Sequence, residues 1–436
     1  MTIWKEYKLG EICKVKGGKR LPKGNNLTAV PNSHPYIRVR DMGEKFLPIN
    51  NLEYVPNVVF PSIKNYIVDK GDLLLSIVGT VGLVSLVNDE LDKASLTENC
   101  VKIIPQKDII DNEFLYYFLK SNIGQEEIFR KIVGAVQPKL PIYNINDIGL
   151  NIPDLPTQTA IAEILSSLDD KIEINNKINQ ELEHLAQTLF KQWFIDFEFP
   201  NENGEPYKSS GGEMVDSELG EIPKGWEVRA IESLTTKMNS GGTPSTRNTD
   251  FYDGEILWYS TKELKDNFMF ESDRTITING LNSSSAKLFP AYTVVMAIYA
   301  APTVGRLGIL NQEASFNQAA LGFVAKEEVG YEFIYLLLKF LRDDFNNLAN
   351  GAAQQNLNVG LVKNYKILMP LIESLRNFKS LMKPIFESIK NNQLENNFLT
   401  TLRDTLLPKL ISGELEVPSK KHSLITDSFK KVGIEL

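Results

Sequence analysis

The sequence is poor in the residues that metal and redox sites are built from. Its 436 residues include two cysteines, Cys13 and Cys100, and three histidines, His34, His184 and His422. These lie far apart, so neither a disulfide framework nor a zinc-ligand spacing can be read from them. No metal or other cofactor is expected, and a reducing cytoplasm is the expected setting. A long apolar run is missing too. The uncharged stretch LLLSIVGTVGLVSLV at 73–87 is too short for a bilayer and is broken by glycines. It reads as two buried strands joined by a Gly turn, and no membrane partner is expected. There is no Gly-rich phosphate loop closed by Lys-Ser/Thr and no Asn/Asp-Pro-Pro-aromatic run. Asp169 and Asp170 stand together on an acidic helix face with no second cluster, where solvation is the ordinary role. The chain is therefore expected to be no enzyme.

What is present is a repeat. NEFLYYFLKS at 112–121 returns as YEFIYLLLKF at 331–340, GAVQPKL at 134–140 as GAAQQNL at 351–357, and GTVG at 79–82 as PTVG at 302–305. The offset stays between 217 and 223, so two copies of one unit follow each other. Trp4 near the start of the chain is echoed by Trp226. Each copy reads as a mixed α/β lobe followed by a helical segment. The lobes are placed at 1–155 and 222–370, the helical segments at 156–198 and 371–415, a polar Gly- and Glu-rich linker at 199–221, and a tail at 416–436.

The helical segments carry a four-three seam. Ile161, Leu165, Leu168, Ile172, Asn175, Asn179, Leu182, Ala186, Leu189 and Trp193 fall on one stripe of the first. Shifted by 217, the stripe reads Phe378, Met382, Ile385, Ile389, Asn392, Asn396, Leu399, Arg403, Leu406 and Leu410. Only Arg403 replaces an apolar residue by a charged one. An antiparallel coiled coil would give the molecule an internal pseudo-two-fold axis and place the lobes at opposite ends of a rod. It would also set Asn175 against Asn396 and Asn179 against Asn392, fixing register at a cost in stability. The alternative is that each helix packs on its own lobe with the asparagines in water. Pro384 is expected to kink or restart the second helix. The fold class is thus α+β: two similar mixed α/β domains separated by two long helices.

Three stretches carry a family resemblance: GGTPSTRNTDFYDGEILWYSTKEL (241–264), YKSSGGEMVDSELGEIPKGWEV (207–228) and IPDLPTQTAIAEILSSLDDKIEINNKIN (152–179). Through them nearly the whole chain resembles the specificity subunits of type I restriction-modification systems. The resemblance implies two target-recognition domains, each reading half of a split double-stranded DNA sequence. It implies helices that set the spacer and dock two methyltransferase subunits, with restriction/translocase subunits joining through the complex. The first lobe departs from the pattern, having VKGGKRLPKGNN where the second has GGTPST. The second helical segment opens MPLIESLRNF where the first opens IPDLPTQTAI. A rival reading is a two-lobed protein-protein adaptor without DNA readout.

The net charge of −8 looks wrong for a DNA binder, but it is local. Residues 1–155 carry +1 and residues 222–370 carry −1, whereas residues 156–221 carry −10. Residues 1–50 hold 10 basic against 4 acidic side chains, and phosphate neutralisation depends on such local excess. The loop KVKGGKRLPKGNN supplies Lys16, Lys19, Arg20, Lys23 and Asn25: Arg forks onto guanine, Asn onto adenine, and Lys suits phosphate. A solvated basic turn is the plain alternative. Arg38 and Arg40 are expected to alternate on one face of a strand, reaching a groove or forming surface ion pairs. In the second lobe Thr243, Ser245, Arg247 and Asn248 fill the matching loop, with Lys262 beside a strand bearing Trp258 and Tyr259. Gln137, Lys139, Gln354 and Gln355 share another repeated loop, where an amide reads adenine or caps a turn.

Overall fold

Four-three spacing sustained over ten seam positions gives two unbroken helices of 40 residues each, Leu155–Phe194 and Ile372–Ile411. They belong to a computed structural model that describes residues 4–299, 304–350 and 356–417. Every seam position on both helices is buried or half-buried. Of the kink or restart expected at Pro384, a restart does not occur, since the helix runs through it unbroken. Pro384 sits on the exposed side, as does Ser380, so the carbonyl that loses its partner faces water. Among the described residues no helix is long and apolar enough to cross a membrane.

The chain divides into two compact units. One draws on Met1–Glu173 and Asn397–Leu436, the other on Ile174–Asn396. Each therefore holds one lobe and a stretch of both long helices.

In the first unit a four-stranded sheet runs in the order Cys13–Gly17, Cys100–Pro105, Leu73–Ser76, Val84–Leu86. The last two strands are the apolar run of the sequence, folded back through Gly79 and Gly82, whose φ values of 84° and 95° suit glycine. A three-stranded sheet orders Glu53–Tyr54, Pro35–Ile37, Ser95–Leu96, and Lys5–Lys8 pairs with Gly149–Ile152. Helix Asn112–Lys120 buries six consecutive side chains from Phe114 to Leu119. It shares a core with Ile161, Leu165 and Leu168 of the first long helix and Leu402, Leu406 and Leu410 of the second. Trp4 lies against Gly413, just past the end of that second helix.

The second unit repeats the plan. Its main sheet orders Thr235–Ser240, Ala320–Ala325, Val294–Ala297, Leu307–Leu310 and one added strand, Asn267–Met269. Arg274–Ile276, Tyr252–Tyr259 and Ser315–Phe316 form the smaller sheet, and Glu227–Ala230 pairs with Lys366–Met369. The unusual parallel pairing recurs as well: Tyr36 opposite Ser95 in one lobe, Trp258 opposite Ser315 in the other. Trp226 is buried against Phe194 and Phe199, at centroid distances of 6.0 and 5.3 Å, where the first long helix ends. Trp226 thus seals a helix end, as Trp4 does. Residues 199–221 are not a loose linker: Phe199 is buried against Tyr207, and Met214–Ser217 forms a hairpin with Gly220–Pro223.

The seam is antiparallel within each unit. In the second, Asn175 Nδ2 donates to Asn396 Oδ1 at 2.9 Å and Asn392 Nδ2 donates to Asn179 Oδ1 at 2.9 Å, the register read from the sequence. Asn175 is fully buried, so these amide bonds reward one alignment and penalise slippage. In the first unit the charged seam residue Arg403 finds Asp169 at 2.7 Å, and Asp169 also accepts from the Tyr117 hydroxyl at 2.6 Å.

Candidate nucleic-acid interface

The Gly-rich loop leaves its strand in the same way in both lobes, hydrogen bond by hydrogen bond. Gly18 N–H donates to Cys100 O at 3.1 Å and Lys19 N–H to Leu96 O at 2.8 Å. Their counterparts are Gly241 to Ala320 O at 3.2 Å and Gly242 to Phe316 O at 2.9 Å. A buried aromatic pins the next carbonyl: Tyr36 hydroxyl to Lys19 O at 2.8 Å, Trp258 Nε1 to Gly242 O at 2.9 Å. Burial pushes the Tyr36 hydroxyl above its ordinary range, which keeps it a donor. Glycine is needed at the departure point because a β-carbon on Gly18 would overlap the Thr97 carbonyl, and one on Gly241 the Phe316 carbonyl.

Two further segments are tied to the same strand end. Ile77 N–H reaches Asn99 O and Leu140 N–H reaches Ile77 O, at 2.8 and 2.9 Å. Ile298 to Ala319 O and Leu357 to Ile298 O repeat this at the same two distances. Three segments are therefore tied together at one end of each main sheet.

On this frame Lys16, Lys19, Arg20, Lys23 and Asn25 are all exposed. Lys19 Nζ stands 5.6 Å over the Tyr66 ring, Arg20 pairs with Glu98, and Asn25 bonds back to Pro22 O at 3.2 Å. Val133 and Lys139 exchange backbone bonds of 2.8 and 2.9 Å, closing a loop that leaves Val136, Gln137 and Lys139 in solvent. In the second lobe Ser245 and Arg247 are exposed, Thr243 donates to Gln318, and Asn248 caps the turn at Asp250 N–H, 3.1 Å away. Gln354 and Gln355 lie outside the described residues.

Arg38 and Arg40 do not share a strand face. The strand stops at Ile37 and Val39–Asp41 is a 3-10 turn, because the Asp41 carboxylate accepts the Arg38 backbone N–H at 2.8 Å. Arg38 is held by Asp41 and Glu53 and is 18% exposed, while Arg40, 62% exposed, reaches Glu53 at 2.9 Å. Lys262 sits in the matching 3-10 turn Thr261–Glu263 and pairs with Asp273 at 3.3 Å. Trp258 and Tyr259 are buried in the core. Asn175, Asn179, Asn392 and Asn396 belong to the seam and not to this surface.

The structure adds Glu98 and Gln318, which the sequence reading left out. They follow the strand end that anchors each loop and stand 220 residues apart, inside the repeat offset. Aligning SLTENC (95–100) with SFNQAA (315–320) would have exposed them.

The chain matches the family described as Type I restriction modification DNA specificity domain over residues 1–184 and again over 223–400. It is 29% identical over 477 residues to the Type I restriction enzyme HindI specificity subunit of Haemophilus influenzae, covering 95% of this chain and 100% of that one. It is also 29% identical over 433 residues to the MjaIX specificity subunit of Methanocaldococcus jannaschii, covering 95% and 94%. A crystal structure of the S subunit of a Type-I restriction-modification system from M. genitalium shares the fold, with a TM-score of 0.58 at 16% identity, over 94% of this chain and 96% of that one.

Proposed function

The chain belongs to the type I restriction-modification DNA specificity family, and from that membership we propose how its parts divide the work. Each lobe reads one half of a two-part duplex target through the loops gathered at the end of its main sheet. The paired long helices act as the spacer and dock two methyltransferase subunits, and restriction/translocase subunits join through the complex. Methyl transfer and cleavage are carried out by those other subunits; this chain supplies sequence. Membership in a DNA-specificity family disfavours an adaptor that reads no DNA.

One observation carries the reading: a loop frame repeated bond for bond in both lobes, bearing different side chains in each. A shared frame with divergent polar tips is what two readers of different half-sites need. Lys19 and Lys23 suit phosphates, and the exposed amides and guanidinium groups suit base edges in the major groove. The test is to purify the chain with its neighbouring methyltransferase, map the methylated motif, and then exchange the first lobe for that of a relative. The expected result is a two-part motif of which only one part changes. A complex that imposes no motif, or an exchange that changes both parts together, overturns the reading.

A further inference from the structure

At the equivalent point of the two loop frames stands a side-chain pair whose chemistry differs between lobes. One residue past the pinned carbonyl of Lys19 is Arg20, and it pairs with Glu98. One residue past the pinned carbonyl of Gly242 is Thr243, and its hydroxyl donates to the Gln318 side-chain oxygen. Glu98 and Gln318 each follow the residue whose N–H bonds the neighbouring strand, Thr97 to Ile37 O at 3.1 Å and Asn317 to Tyr259 O at 2.9 Å. The two pairs are thus the same position of one scaffold, charged in one lobe and neutral in the other.

Neither pair is needed to hold its loop. Two backbone bonds and an aromatic donor already fix each departure point. The Arg20 side chain is 78% exposed and that of Glu98 29%, and an ion pair so open to water contributes little to stability. Gln318 is likewise exposed. The pairs do have complementary base edges. A guanidinium forks onto guanine O6 and N7 while a carboxylate accepts from cytosine N4–H, so arginine with glutamate matches both bases of one G·C pair. A glutamine amide forks onto adenine N6 and N7 while a threonine methyl packs on the thymine methyl, so threonine with glutamine matches an A·T pair.

We propose that Arg20 with Glu98, and Thr243 with Gln318, are equivalent base-reading pairs, the first selecting a G·C pair in one half-site and the second an A·T pair in the other. This rests on the DNA-reading role proposed above. Until DNA arrives, each pair satisfies its own polar groups, and the duplex replaces the internal contact by contacts to both strands.

The experiment uses the full chain assembled with its methyltransferase. Four forms are compared: wild type, Arg20→Thr with Glu98→Gln, Thr243→Arg with Gln318→Glu, and Glu98→Gln alone. Methylated motifs are mapped, and binding is measured on duplexes changed one base pair at a time. The first double variant should shift one position of one half-site from G·C towards A·T by about tenfold or more, leaving the other half-site alone. The second should do the reverse in the other half-site. Glu98→Gln, nearly isosteric, is the control for folding: it should weaken selection at that one position while unfolding at the wild-type temperature. A wild-type complex without any motif would sink the DNA-reading role itself. A wild-type motif that survives all three variants, or affinity that falls equally on every duplex, would overturn the pairing and leave the residues as loop tethers.

Discussion

The two lobes agree in backbone and disagree in side chains, and where they disagree is informative. Around the Gly-rich loop the hydrogen bonds coincide while Arg20–Glu98 is replaced by Thr243–Gln318. Where each lobe meets the long helices, the same kind of exchange occurs in a core setting. Tyr117, Asp169 and Arg403 form a polar triad in the first unit. Their repeat counterparts in the second are Leu336, Phe386 and Ala186, all buried in one apolar cluster. A duplicated scaffold thus tolerates either a satisfied polar cluster or apolar packing at one site, because either closes the same space without leaving a buried group unpaired.

The largest effect should come from attacking what the lobes share. Gly18→Ala and Gly241→Ala each force a β-carbon onto a backbone carbonyl that is itself hydrogen-bonded, Thr97 O by Cys100 N–H and Phe316 O by Gly242 N–H. Each should cost about 3 kcal/mol by overpacking. Gly24→Ala has no atom within 4 Å and should cost only the strain of its positive φ, roughly 1 kcal/mol. Denaturant unfolding of the three variants checks this. Equal costs at Gly18 and Gly241 would support a common frame, whereas a large cost at one alone would break it.

Next comes the triad. Arg403→Ala leaves the mostly buried Asp169 carboxylate with only the Tyr117 hydroxyl, and should cost roughly 2 kcal/mol, less than a fully buried pair because Arg403 is 25% exposed. The triple change Tyr117→Leu, Asp169→Phe, Arg403→Ala copies the second unit into the first and should recover most of that loss. If the triple variant is no better than the single one, the two junctions are not interchangeable and the comparison fails there.

How legible these features were in the sequence depended on how many residues carried each signal. The seam and its asparagine register could be read because a four-three pattern over 40 residues repeats many times and because two copies check each other. Arg38 and Arg40 misled because one carboxylate, Asp41, turns three residues out of an otherwise strand-like run. Helices Asn122–Arg130 and Arg342–Asn350 went unread: both are short, and polar residues dominate them. Glu98 and Gln318 carry no local pattern at all. Their meaning comes from a partner about 75 residues away in each lobe, which only the fold brings close.

A smaller effect should separate the lobes by charge. Lys19→Ala with Lys23→Ala should lower the salt dependence of DNA binding by a slope of roughly 0.9 for each phosphate no longer neutralised. The second lobe's matching loop offers Arg247, and Arg247→Ala should remove at most one such step. Binding of the assembled complex over a range of salt concentrations measures both. Identical slopes for all three proteins would place the loops off the phosphates.

The smallest difference should appear in acid, at one matched position of the two lobes. Burial alone would raise the Asp266 carboxyl, but hydrogen bonds from the Arg342 guanidinium at 2.6 and 2.8 Å outweigh it and hold the group below its ordinary value. A carboxyl depressed in the folded state contributes stability that is present above its unfolded value of about 3.9 and is lost as pH falls through the folded value. Its counterpart in the first lobe, Glu44, makes no ion pair among the described residues. Acidification below about pH 4 should therefore loosen the region around Asp266 without a matching change around Glu44. Asp266→Asn should lower stability at neutral pH and flatten the acid limb. Amide hydrogen exchange read separately for residues near Leu307 and near Leu86 can follow this, since the Leu307 N–H itself donates to Asp266 Oδ1 at 2.9 Å and the Leu86 N–H to the Lys45 carbonyl at 2.7 Å. An acid limb equally steep in Asp266→Asn and wild type would show that the Arg342 pair gives the second lobe no advantage over the unpaired glutamate of the first.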